Sequence, residues 1–363
     1  MTKTNTRNRI VSILLVLVML LTMVPITGVT ANAADTSWTT VNTYDQLKAA
    51  LSNQNPPDNI KLGSDIDTGT LTSGMGILES LEVKGRKQLD LNGHTLRMYS
   101  AKTAMSDMIT IRRGDLTVLD SSSGQKGTIL GSTYNDSCYL FDIQYGKLTL
   151  NSGTLKVDAG SLKTETKWRR VIHCYVGGTV TINGGTLHVA PETYEGKNNA
   201  YGQYFDEEYR DLLNGHCGYT LMAANSCKVT ITGGTFSVNP SAYVRDDLTA
   251  KESGGKWIIE KRTADDPGTV ASVGERCFRT LASAVEAAQS GDTIKLLQDT
   301  KLTEIVTIPA SAEITLDLNG KTLTLDASGT RLIQNEGNLT INGNSGKISG
   351  INSGAYGLID NYG

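Results

Sequence analysis

Apolar and polar residues alternate in short bursts along most of this chain, and one burst keeps returning. It runs Leu148-Thr-Leu-Asn-Ser-Gly-Thr-Leu155, Val180-Thr-Ile-Asn-Gly-Gly-Thr-Leu187 and Val229-Thr-Ile-Thr-Gly-Gly-Thr-Phe236. Shorter versions begin at Leu116 and Leu339, and related forms span Leu89 to Leu96 and Leu316 to Leu323. A two-residue alternation describes a strand with one buried face. The Asn-Gly or Gly-Gly step that follows is a turn, because these residues accept positive φ cheaply. A second strand precedes most copies: Met108 to Ile111, Tyr139 to Ile143, Val171-Ile172, Tyr219 to Met222, Leu332-Ile333 and Leu358-Ile359. Most of these run into a glycine, at Gly114, Gly146, Gly177-Gly178, Gly337 and Gly363.

Leu116 to Leu148 is 32 residues and Leu148 to Val180 is 32 again, whereas Leu316 to Leu339 is 23. Constant strands joined by variable loops are what a solenoid permits. In such a stack Leu148, Val180 and Val229 form an inward column, Thr149, Thr181 and Thr230 an outward one, and Asn151 and Asn183 an amide ladder at the turn. An antiparallel β-sandwich is the competing arrangement; the like-with-like repetition favours a parallel stack over locally paired hairpins.

These repeats resemble the pectin-lyase-like right-handed parallel β-helix, in the version seen in bacterial cell-surface proteins. Phe278 to Leu297 is similar to the amphipathic helix and first strand that open such domains, and Tyr44 to Leu51 followed by Asn59 to Leu62 repeats it. Leu47, Ala50 and Leu51 share one helical face, as do Leu281, Ala284 and Val285. The expected fold class is therefore all-β, a right-handed parallel β-helix with short N-terminal capping helices. Its units are 36–252, with an insertion at 191–218, and 272–363, joined by a hairpin and linker over 253–271. Alignment of the two units sets Leu358–Gly363 against Phe141–Gly146, which predicts that the second unit stops in mid-rung.

The first 33 residues are a different kind of sequence. Lys3, Arg7 and Arg9 precede the uncharged apolar run from Ile10 to Val24, and Ala31-Asn32-Ala33 is a small-x-small step. That order is a cleavable secretory signal peptide, with a run short for a membrane span. Cleavage would shift the formal charge from -3 to about -6 by removing those three basic residues. A mildly acidic chain lacks the footprint for nucleic acid or an anionic membrane surface. Export permits disulfides. The five cysteines (Cys138, Cys174, Cys217, Cys227, Cys277) are odd in number, so at least one is free or paired elsewhere; a bridge among Cys174, Cys217 and Cys227 is one option.

The resemblance is specific for architecture and uninformative about activity. It raises polysaccharide lyase chemistry, which would need Ca²⁺ held by carboxylates and a basic proton acceptor, and glycoside hydrolysis, which needs paired carboxylates. Asp90 and Asp317 recur at one place in the repeat and read as outward strand residues. Asn214-Gly-His-Cys-Gly218 has a partial likeness to a galacturonan-hydrolase element, without that family's paired-Asp motifs. His173-Cys174 and His216-Cys217 have zinc-ligand types, but adjacent strand residues face opposite ways, which splits each pair. His94 is replaced by Lys321 in the second unit. Arg113-Gly114-Asp115 spells a cell-adhesion tripeptide, with Gly114 where other rungs have a turn glycine.

Two segments are the best binding candidates. The insertion carries Tyr201, Tyr204, Phe205 and Tyr209 with Asp206, Glu207, Glu208 and Asp211, a mixture suited to stacking on sugar rings and holding hydroxyls or Ca²⁺; a flap packed on the helix flank is its structural alternative. Trp168-Arg169-Arg170 could clamp an acidic sugar, although exposed arginines at a strand start are commoner. The leading expectation is an exported, adhesin-like surface protein. It would present loops to a polysaccharide or a host or cell-surface protein, with no catalytic residue, no metal residue and no cofactor beyond Ca²⁺. A carbohydrate-active enzyme and a plain structural spacer are the alternatives. A carboxylate cluster on successive rungs marks the enzyme, an aromatic platform without one marks the binder, and the spacer has neither.

Overall fold

The computed structural model describes residues 37–68, 80–100, 106–133, 138–158, 169–189, 218–302, 304–327, 333–352 and 359–362. The expected signal peptide lies outside them. From Thr39 to Gly363 the chain forms one compact body, a parallel β-solenoid whose strands recur in the order first, second, third sheet. A seven-stranded first sheet stacks Thr39–Val41, Asn59–Leu62, Arg86–Asp90, Asp115–Leu119, Lys147–Leu150, Thr179–Ile182 and Lys228–Ile231. A five-stranded third sheet stacks Leu81–Glu82, Ser106–Arg112, Cys138–Gln144, Arg169–Val176 and Gly218–Ala223. Between them in chain order comes the second sheet, from Ile66–Asp67 to Thr235–Phe236, all parallel.

The expected columns are present. Leu148 lies beside Leu116 and Val180, and Val180 beside Val229. Thr149, Thr181 and Thr230 align outside. Asn183 donates its side-chain amide to Asn151 Oδ1 at 2.9 Å, and Thr232 Oγ1 extends the ladder by donating to Asn183 Oδ1 at 2.9 Å. Inward leucines, isoleucines and valines within the stack, among them Leu116, Leu148 and Val180, are fully buried; each contributes about 1.5–3 kcal/mol. The corners are tight. At Gly114 a Cβ would lie 2.4 Å from the carbonyl oxygen of Val83, in the rung before, so no side chain fits there.

Helix α1 (Tyr44–Ser52) is started by Thr43, whose hydroxyl accepts from the Gln46 N–H at 3.3 Å. Helix α2 (Leu281–Ala287) repeats the device with Thr280 and Ser283, at 3.1 Å. Leu47, Ala50 and Leu51 bury from α1, and Leu281, Ala284 and Val285 from α2, as the helical spacing predicts. Each helix therefore joins the apolar core of its own half; one core ends at Leu248 and the other starts at Ala271.

Three details correct or extend the sequence reading. The hairpin between the halves is Leu248–Ser253 with Lys256–Lys261, turning at Gly254-Gly255 (φ 59° and 75°), so it starts five residues before 253. It also pairs antiparallel with Thr235–Phe236 and so ends the second sheet. In the second half Leu316 aligns with Ile341 and Leu339 with Ile314, giving a rung of 25 residues, not 23. Finally, Asp90 and Asp317, outward strand residues as expected, also brace turns, Asp90 at 1% exposure and Asp317 half-buried. Asp90 Oδ1 accepts from the Asn92 N–H at 2.9 Å, and Asp317 Oδ1 from the Asn319 N–H at 2.8 Å. Both asparagines are left-handed (φ 50° and 48°), precede a left-handed glycine, and donate their side-chain amides to the previous rung at Leu62 and Leu296.

Candidate functional site

The connections from the second sheet to the third carry nearly all the length variation of the first half. Residues 101–105, 134–137, 159–168 and 190–217 each leave a second-sheet strand and enter a third-sheet strand. The outer face of the third sheet, whose strands follow these connections, holds a cluster of polar and aromatic side chains.

Two stacked pairs form its centre. Tyr139 aligns with Arg170 and Asp142 with His173 across the strands Cys138–Gln144 and Arg169–Val176. Arg170 Nη1 donates to the Tyr139 hydroxyl at 3.0 Å while its guanidinium lies 4.6 Å from the ring centre. His173 Nδ1 stands 2.8 Å from Asp142 Oδ1, and Gln144 donates to Asp142 Oδ2 at 2.7 Å. The rings of Tyr139 and His173 are 4.4 Å apart. Burial pushes the Tyr139 hydroxyl above its ordinary range, partly offset by the Arg170 charge, so the phenol is protonated at neutral pH. With Nδ1 facing Asp142, His173 turns Nε2 away from the carboxylate.

Beside this cluster the backbone breaks its rules twice. The pairing shifts between Ile143 and Gln144, so Gln144 aligns with Val176 and Tyr175 is an extra residue in a β-bulge. Bulges re-aim side chains, and Tyr175 is 61% exposed with its ring 5.8 Å from that of His173. At the next corner Arg113, Tyr145 and Gly177 occupy successive rungs, all left-handed (φ 62°, 55° and 56°). A non-glycine residue there costs about 1–2 kcal/mol. Tyr145 nevertheless holds its ring against Gly177, where a Cβ would come within 2.8 Å of Cδ1, and stays 60% exposed. The Arg113 guanidinium lies 5.9 Å from the Tyr145 ring centre. Two exposed tyrosines, one raised by a bulge and one held at a strained corner, thus flank His173, Gln144 and Arg113.

Asp142 at this surface and Asp120 at a first-sheet turn are engaged internally. Asp142 spends both oxygens on His173 and Gln144. Asp120, from a first-sheet turn, accepts from the N–H groups of Gly93, Ser122 and Gly127. Among the described residues no group of three or more His, Cys, Asp or Glu is placed to hold a metal ion. His173 and Cys174 point oppositely, as strand alternation requires: Cys174 is buried in the core and His173 faces outward. The Arg113-Gly114-Asp115 tripeptide is built into the stack. Gly114 is covered, and Asp115 faces Arg86 and Lys147 at 3.9 and 3.8 Å.

Of the residues singled out in the sequence, Tyr201, Tyr204, Phe205, Asp206, Glu207, Glu208, Tyr209 and Trp168 lie outside the described residues, as do His216 and Cys217. Arg169 opens the strand that carries His173. Arg170 is not an exposed arginine at a strand start: it is 2% exposed, flattened on Tyr139. Tyr139, Asp142, Tyr145 and Tyr175 escaped the sequence reading. The signal was there in spacing, since Tyr139 to Arg170 and Asp142 to His173 are each one rung of 31 residues.

Residues 38–157 match a family model described as "Putative pectate lyase-like adhesive domain". No curated protein and no solved structure matches the chain. The family match and the parallel solenoid together support an adhesin-like β-helical protein of the pectin-lyase-like kind with a surface or extracellular role. No described helix is long and apolar enough to cross a membrane.

Proposed function

We propose that this protein is an exported adhesive module that binds a carbohydrate at the outer face of its third sheet. The observation that carries this reading is the pair of exposed tyrosines, Tyr145 and Tyr175, on adjacent rungs beside His173, Gln144 and Arg113. Flat aromatic faces stack on sugar rings, and the neighbouring imidazole, amide and guanidinium supply donors and acceptors for hydroxyls or a uronate carboxylate. A rigid solenoid pre-orders such a platform, so little entropy is lost on binding. The insertion at 191–218, with Tyr201, Tyr204, Phe205, Tyr209 and its acidic residues, precedes a strand of the same sheet in the chain, and these residues, with Trp168 and Arg169, are further binding candidates.

The engagement of Asp90, Asp120, Asp142 and Asp317 with internal partners favours binding over lyase or hydrolase chemistry. The test is a glycan array on residues 34–363 with and without Ca²⁺, run beside a polysaccharide-degradation assay. Retention that drops at least tenfold in Tyr145→Gly and Tyr175→Ala supports the platform. Tyr145→Gly is the sharper variant because glycine relieves the left-handed strain, so the fold should hold within about 1 kcal/mol. Retention unchanged in both variants would refute the site, and unsaturated or reducing-end products would replace binding with catalysis.

A further inference from the structure

Cys174 and Cys227 lie 53 residues apart in sequence and touch in space. Cys174 ends the paired part of the strand Arg169–Val176, aligned with Ala223. From Ala223 the chain turns back through the Ala224 N–H, which donates to the Cys174 carbonyl at 2.9 Å, and the Cys227 N–H, which donates to the Ala224 carbonyl at 2.8 Å. That turn delivers the Cys227 thiol to 3.2 Å from the Cys174 carbonyl oxygen, to which it donates. The Cys174 sulfur has nowhere else to go. It is fully buried, with a Cβ on Gly178 falling 2.6 Å from it, whereas Cys227 is half-buried and open to reagents.

We propose that Cys174 and Cys227 are a disulfide-forming pair that covalently ties together two successive rungs beside the third sheet. The asymmetry in exposure sets the order of events. The Cys227 thiolate attacks an external disulfide such as oxidised glutathione, forming a mixed disulfide and releasing one glutathione thiolate. Cys174, once deprotonated, attacks Cys227 Sγ and displaces the second glutathione. Overall the two protein thiols lose two protons and two electrons, and the oxidant is reduced to two thiols. Burial raises the Cys174 thiol well above its ordinary range, so the second step is the slow one and speeds up with rising pH. The closed loop contains the strands Thr179–Ile182 and Thr186–Val189, the 190–217 insertion and the strand Gly218–Ala223. The inference is independent of what the protein binds.

The experiment is peptide mapping of the full chain, folded, incubated with oxidised glutathione, then blocked and digested with trypsin. Trypsin places Cys174 in 171–197 and Cys227 in 211–228. The expected result is a linked pair of these peptides, two hydrogens lighter than their sum, with fragmentation assigning the bridge to Cys227, and with Cys277 recovered as free thiol. The oxidised protein should melt several degrees higher than the reduced one, because a long loop is closed in the unfolded chain. Cys227→Ser should remove the link and the shift while leaving the fold. A bridge to Cys217, a Cys227 that stays glutathionylated, or two alkylated thiols would each overturn the assignment.

Discussion

His173 and Asp142 sit one rung apart, 2.8 Å between Nδ1 and Oδ1, on the outward side of a sheet that sends Ile143 and Cys174 into the core. The contact sets the ring's orientation and, with Gln144, uses up the carboxylate. Removing the carboxylate leaves a half-buried imidazole nitrogen and an amide without their partner, which costs about 1–3 kcal/mol. Asp142→Ala should therefore lower the unfolding free energy by that amount, read as a lower denaturant midpoint at unchanged slope, and Asp142→Asn by less. It should also weaken glycan retention beyond what the stability loss explains, because His173 is no longer held beside Tyr175. A midpoint equal to wild type would show that the pair carries no load.

Turn aspartates make the fold sensitive to acid. Asp90 and Asp120 are buried, which by itself raises a carboxyl. Hydrogen bonds from Ser121, Asn92 and Lys61 on Asp90, and from Ser122, Gly127 and Gly93 on Asp120, outweigh burial and hold both below the ordinary range. The unfolded chain then takes up protons first as pH falls. The stabilisation is complete above the unfolded value of about 4 and is lost as pH drops through the lower folded values. Urea midpoints should be flat from pH 7 to about 5 and fall steeply below about 4. In Asp120→Asn the plateau should drop and the acid limb should flatten; an unchanged limb would move the acid sensitivity elsewhere.

The columns at Leu148, Val180 and Thr149, Thr181 were legible because alternation and turn glycines are local features of sequence. The 23-residue rung was misjudged for a physical reason. Sliding Leu339 from Ile314 to Leu316 moves the strand by two residues, and a two-residue slip keeps every side chain on its own face. Hydrophobic pattern alone cannot choose between those registers; the Asp317–Asn319 turn and the Asn344 amide that donates to Asp317 at 2.8 Å do. The outer cluster was hidden for another reason. An outward Arg or Asp is exposed on most sheets, and only the assembled stack sets Arg170 flat on Tyr139 and encloses Asp142.

Corner glycines are a strict requirement of the stack. At Gly146 a Cβ would lie 2.4 Å from the carbonyl oxygen of Ile111 and 2.7 Å from its Cγ2. Both belong to the neighbouring rung, whose pairing cannot shift without breaking the Lys147 N–H to Gly114 carbonyl bond of 2.8 Å. Gly146→Ala should cost roughly 1–3 kcal/mol or more. Gly254→Ala is the comparison: that glycine has open space around it, and only its left-handed φ of 59° is penalised, by about 1 kcal/mol. Equal losses in the two variants would mean that close approach between rungs is not what selects glycine.

The two apolar cores are joined through a polar junction centred on Asp246. Its carboxylate accepts from Arg279 Nε at 3.2 Å, from the Thr280 hydroxyl at 2.9 Å and from the Ser283 hydroxyl at 2.6 Å, while its carbonyl accepts from the Arg279 N–H and from Arg262 Nε, each at 3.1 Å. Arg279 also reaches the carbonyls of Ser241 and Val244, in the turn that closes the first half. Thr280 and Ser283 are the cap and first turn of α2, so one carboxylate ties the end of the first stack to the helix that opens the second. Asp246→Ala should remove three carboxylate bonds and leave the Arg279 guanidinium with only carbonyl partners. The cores themselves are untouched, so loss of secondary structure is not expected; loss of coupling is. Wild type should unfold in one calorimetric transition across Thr39–Gly363, and Asp246→Ala should split it in two, with the smaller core from Ala271 onward melting first. A single, merely shifted transition in the variant would show that the antiparallel hairpin and the Ala271–Val273 strand couple the halves without this carboxylate.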